Sequence, residues 1–217
     1  MSGFVSLKNL KLLEIIDGGG KAHYGADQAW YEECFQKRAG CGPTCAAHLV
    51  CYLARAHVGC SALFECADGI LAQEEFLPLM QKLWAYVTPG PMGVNNTGIF
   101  VKGAQRYGAD RGAPLAARVL PVPVLPSIRP SPAQAALFLT DALGSDLPVA
   151  FLNLSNGGLA NLDSWHWVTL VAFAPDDFRA LMYDNGDRRE IDLKKWLGAS
   201  LLGGGFVALS PRRGACD

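Results

Sequence analysis

The period of the apolar positions changes along the chain. From about residue 27 to residue 143 they recur at helical spacing, and from about 148 onward they form short continuous or alternating runs. Residues 27–37 read as a helix with Asp27 as N-cap, broken by Gly40. The run from Cys41 to His57 is apolar around most of its circumference (Ala46, Ala47, Leu49, Val50, Leu53, Ala54), which predicts a buried helix. Pro43 suits its first turn, where a missing N–H costs nothing, and Gly59 stops it. A helix over 73–86 turns Phe76, Met80, Leu83 and Trp84 inward, with Pro78 delaying its start or kinking it. Residues 88–93 form a loop. Asn96 or Thr97 caps a further helix to about Tyr107. After a Pro-rich connector over 121–132, Ser131 and Pro132 open a helix to about Leu143. The stretch 10–16, ended by three glycines, fits a short strand or a short helix.

Strands dominate the remainder. Residues 148–154, 165–173 and 179–184 are buried-strand candidates, and 189–193 and 205–210 extend the sheet, with a short helix near 194–197. The expected fold is therefore α+β in one domain, with a helical lobe over about 1–145 and a β lobe over about 146–217.

Composition narrows the function. Half of the 217 residues are hydrophobic and 18% are charged, enough to build a core. A net charge of -1 without a basic run gives no reason to expect nucleic acid or an anionic membrane surface. No apolar stretch reaches the roughly 20 residues of a membrane span, and the first residues lack the pattern of a secretory signal, so a cytoplasmic location is expected. Seven cysteines (Cys34, Cys41, Cys45, Cys51, Cys60, Cys66, Cys216) make an odd set, so a disulfide framework is not expected, and most should be small core residues.

Cys41 stands apart. It opens the most apolar helix between Gly40 and Gly42, and a thiol attacks only as thiolate. Unpaired N–H groups of a helix's first turn favour that anion, and an imidazolium favours it further. The flanking glycines are expected to leave space beside the sulfur. Of four histidines, His48 and His57 lie too far along the same helix, and His23 sits in a glycine-rich segment. His166 starts a strand. If 165–173 and 179–184 pair as a hairpin, Asp184 falls directly opposite His166 or one diagonal step away. It lies on the same face either way, because the two positions share parity. Its carboxylate would orient the ring. Asn185 is the rival orienter, although Asn185-Gly186 is a strong turn pair. The Cys41 N–H, Gln36 and Gln28 are the candidate donors to a developing oxyanion, with Gln36 favoured by its spacing. A zinc site on Cys34, Cys41, Cys45 and His48 is a weaker alternative, because it lacks the close cysteine pairs of structural zinc sites.

The pieces Gln36 with Gly40-Cys41-Gly42-Pro43-Thr44, then His166-Trp167-Val168-Thr169-Leu170, then Tyr183-Asp184-Asn185 resemble the papain-like cysteine peptidase superfamily. They are closest to bacterial members of the bacteriocin-leader-processing type. Gln36 stands one residue nearer the nucleophile than is usual in that family. The resemblance implies a papain-like fold with a cleft between the lobes, Cys41 as nucleophile, His166 as base and Asp184 as orienter. It implies a peptide or small amide substrate and no cofactor. Acyl transfer through the same intermediate, or an inactive binding form of the fold, are the alternatives it leaves open.

Overall fold

Every residue from Cys41 to Leu53 is buried, as a helix apolar on all sides requires. The structure, a computed structural model describing residues 3–66 and 69–212, wraps the rest of the chain around that helix. In chain order the elements are β1 (Val5–Ser6), β2 (Glu14–Ile16), β3 (Ala22–Tyr24), α1 (Cys34–Ala39), α2 (Cys41–Ala56), β4 (Leu71–Ala72), α3 (Gln73–Tyr86), α4 (Thr97–Asp110), β5 (Leu115–Val122), α5 (Pro132–Gly144), β6 (Val149–Asn153), β7 (His166–Ala174), β8 (Arg179–Asp184), β9 (Asp187–Asp192), α6 (Leu193–Ala199) and β10 (Gly204–Pro211). The fold is α+β. Among the described residues no helix is long and apolar enough to cross a membrane.

One sheet runs β5-β10-β6-β7-β8-β9, with β1 paired to β7, and all its pairings are antiparallel. Strand β7 is buried along its whole length and packs on α2. A smaller sheet, β3-β2-β4, lies near the far end of the large one.

Several elements depart from the sequence reading. Residues 27–37 are not one helix. The Asp27 carboxylate accepts the Ala29 N–H at 2.7 Å and starts only a single 3-10 turn, Gln28–Trp30. Tyr31 then turns extended and drives its ring into the core, donating its hydroxyl to the Met80 carbonyl at 3.1 Å. Only after that break does α1 begin. Pro78 neither delays nor ends α3, and it sits on the exposed side, where water can reach the carbonyl it leaves unpaired. The stretch 10–16 is both things at once, a 3-10 turn followed by β2. Strand β5 was not anticipated. It is an edge strand paired only with β10, exposed at mid-length around Arg118 and Val119, and it carries Pro121 where only an edge tolerates proline. The large sheet thus recruits β1 and β5 from the stretch assigned to the helical lobe. The terminal part of the expected β lobe, 213–217 with Cys216, lies outside the described residues.

Candidate active site

The α1–α2 joint places Cys41. Gly40 ends one helix and leads directly into the next at φ -82°, an ordinary helical value. Its requirement for glycine is contact. A Cβ there would lie 2.5 Å from the Gln36 carbonyl oxygen and 2.6 Å from the Tyr31 ring. Gly42 does not open space beside the sulfur as the sequence reading expected. A Cβ on it would meet Val94 at 2.8 Å and Trp167 at 3.4 Å, so the loop before α4 is seated against the first turn of α2. Trp167 fastens that loop by donating its indole N–H to the Val94 carbonyl at 2.6 Å while stacking on Phe100.

The β7–β8 hairpin places His166 and Asp184. Thr169 pairs with Tyr183 and Leu170 with Met182, and an irregularity after Leu170 shifts the register toward the turn. Extended past Thr169, this register makes Asp184 the diagonal, same-face neighbour of His166. His166 Nε2 lies 2.6 Å from Asp184 Oδ1. Asn185 does not compete for the ring. With Gly186 it forms a two-residue turn, at φ 49° and 77°, that closes the β8–β9 hairpin with Asp184 paired to Asp187. Arg189, which the sequence reading did not single out, donates from Nη1 to Asp184 Oδ2 at 3.3 Å. It stands two residues beyond Asp187 and so shares its face, a relation visible once the turn is fixed.

Cys41, His166 and Asp184 line one cleft and are 8%, 7% and 3% exposed. Burial alone would push the His166 ring toward neutrality. The hydrogen bond to Asp184 and the nearby Cys41 overcome that and raise its pKa to about 10. With Nε2 committed to the carboxylate, Nδ1 is the nitrogen left for the sulfur.

The glutamines separate clearly. Gln36 is paired head to tail with Gln81, at 2.8 and 3.3 Å, and does not line the cleft. Gln28 does line it. Its Nε2 donates to the Lys37 carbonyl at 2.9 Å, and its buried Oε1 has no hydrogen-bond partner.

His48 shares the cleft wall but has another task. The Ala26 N–H donates to its Nε2 at 2.7 Å, so the ring proton sits on Nδ1, which faces the Thr169 hydroxyl at 2.9 Å. Burial holds its pKa down to about 4. Thr169 in turn contacts the Cys45 sulfur at 3.3 Å, and Cys45 donates to the Val168 carbonyl. Burial pushes the Cys45 thiol up to about 12, which keeps it protonated. Cys45 and His48 are thus engaged with protein partners, Cys34 is exposed, and no three metal-ligating side chains converge among the described residues. His23 is held by Asp17 at 2.9 Å, and His57 Nε2 donates to the Asp146 carbonyl at 2.8 Å.

The strap that carries Gln28 is fastened over the site. The amides of Tyr24, Gly25 and Ala26 donate in succession to the Gly186 carbonyl, the Leu13 carbonyl and His48. Gly25 (φ +76°) must be glycine, because a Cβ would fall 2.8 Å from His48 Nε2.

No protein-family model matches the chain, and no curated protein matches it.

Proposed function

We propose that the chain is a thiol-dependent hydrolase with a papain-like arrangement, cleaving a peptide or related amide through an acyl-enzyme. One observation carries this reading: a cysteine at the first turn of a buried helix shares a cleft with a histidine that a buried carboxylate orients. The high proton affinity of the His166 ring favours an imidazolium beside a Cys41 thiolate. Asp184, held by Arg189, fixes the ring so that Nδ1 faces the sulfur. Thiolate attack on the carbonyl gives a tetrahedral oxyanion. His166 passes its proton to the leaving amine and then takes one from the water that releases the acyl group.

Gln28 is the better oxyanion donor. An amide nitrogen has two hydrogens, and only one is spent on the Lys37 carbonyl. Gln36 is turned away by Gln81.

The test is labelling. An epoxide thiol inhibitor, followed by mass mapping of the native protein, should modify Cys41 and spare Cys45, whose thiol burial keeps protonated. Modification of Cys45 alone, or of no cysteine, would overturn the reading. Added amine acceptors in a turnover assay separate hydrolysis from acyl transfer.

A further inference from the structure

Cys41 also borders a second hollow, distinct from the cleft that it shares with His166 and Asp184. This groove has a volume of about 270 Å³ and is walled by Phe35, Arg38, Met92 and Trp165, with the 91–93 turn beside them. Its size is that of a site for a small ligand or a few side chains. Three of its walls are large apolar side chains left in water: Phe35 is 39% exposed, Met92 59% and Trp165 45%. Scattered apolar residues on a surface mean little, but here they gather around one atom of chemical interest.

Two of the walls are held in place. Phe35 meets Trp84 edge to face at 5.8 Å, which fixes its ring. Trp165 takes a left-handed backbone, φ +57°, one residue before His166, a conformation that bulky residues rarely adopt and that clusters at working sites. The Arg38 guanidinium lies 5.8 Å over the Phe35 ring and has no carboxylate partner among the described residues. The groove therefore combines three large apolar walls with a cation that no carboxylate neutralises among the described residues.

From this we infer that the groove is the specificity site of the proposed hydrolase. It takes a peptide segment carrying a large apolar side chain next to the scissile bond and a carboxylate beside it. Phe35, Met92 and Trp165 receive the apolar group, and Arg38 receives the carboxylate in a charge-assisted hydrogen bond. This inference rests on Cys41 being the attacking atom, because only then does the groove flank the bond to be cut. A second exposed apolar cluster, Val124, Leu125, Ile128 and Leu201, carries nothing comparable, since no feature of the fold indicates what covers it.

The test uses three fluorescent epoxide peptides that differ only in the recognition pair: Phe-Asp, Ala-Asp and Phe-Asn. Each rate of Cys41 modification is read as a ratio to alkylation of the same protein by iodoacetamide, which is too small to need the groove. Phe-Asp should react about tenfold or more faster than either of the others. Trp165→Ala and Met92→Ala should erode the advantage over Ala-Asp, and Arg38→Gln the advantage over Phe-Asn. Equal ratios for the three peptides, with iodoacetamide still modifying Cys41, would overturn the groove and leave the thiol chemistry standing. If iodoacetamide leaves Cys41 unmodified, the hydrolase reading falls. The groove is then judged by equilibrium binding of the same peptides without the epoxide, followed by indole fluorescence against the Trp165→Ala variant. The same order of preference upholds a recognition site for that peptide class, and no preference ends it.

Discussion

His48 and His166 lie in one cleft wall and are displaced in opposite directions. Burial lowers the first to about 4, while Asp184 and Cys41 outweigh burial and raise the second to about 10. Linkage fixes what each does to stability. The unfolded chain protonates His48 near pH 6.5 and the folded chain does not until about 4, so stability falls as pH drops through that window. Charging the ring would also set a proton on Nε2 against the Ala26 N–H that it now accepts. For His166 the folded chain holds a proton that the unfolded chain loses near 6.5, so stability falls as pH rises from there toward 10. Thermal unfolding should therefore show a maximum near pH 6.5, with a loss of about 1.5 kcal/mol between pH 6.5 and 5 from His48 alone. Cys41→Ala should soften the alkaline decline, because it removes one of the two supports of the imidazolium. Melting curves at pH 5, 6.5 and 8.5 check both limbs, and a flat profile would contradict this account. That His166 and Asp184 share one face was legible in the sequence because strand parity survives a slip of two in the register. His48 was set aside by its distance along the helix from Cys41. Its actual partners, Ala26 and Thr169, come from elements whose packing no local pattern reveals.

At the scale of elements, the first turn of α2 is a packing joint as much as a charged terminus. Gly42 touches Val94, and Val94 is tied through its carbonyl to Trp167 on the strand that begins with His166. Gly42→Ala would raise helix propensity by about 1 kcal/mol but drive a Cβ into the buried, branched Val94 side chain. A net destabilisation of about 1–2 kcal/mol is expected. In a double-mutant cycle, Val94→Ala should recover only part of it, because it removes the Cγ2 at 2.8 Å and leaves the Cβ at 2.9 Å; additive losses would show that the two do not meet. The helices α2 to α5 were legible from caps, prolines and apolar period. The strap over 24–33 was not, because a single Asp27 N-cap looks the same whether it starts three turns or one. The edge strand β5 was hidden for a different reason: half its side chains face water and a proline interrupts it.

On the scale of the whole molecule, the large sheet gathers β1, β5 and the strands from β6 onward. The site therefore depends on partners from both ends of the described chain. The sequence showed helices early and strands late, but not that the sheet reaches back to Val5. Pairings of that separation are set by topology and leave no local trace. The strap that carries Gln28 is the other long-range feature, and it has a consequence for motion. Its three successive amides at 24–26 are bound to three separate parts of the fold, so none can be freed while the others stay closed. In hydrogen–deuterium exchange they should therefore swap as a single kinetic class, slowed together by anything that occupies the cleft. Three unrelated rates would mean that the latch opens piecemeal.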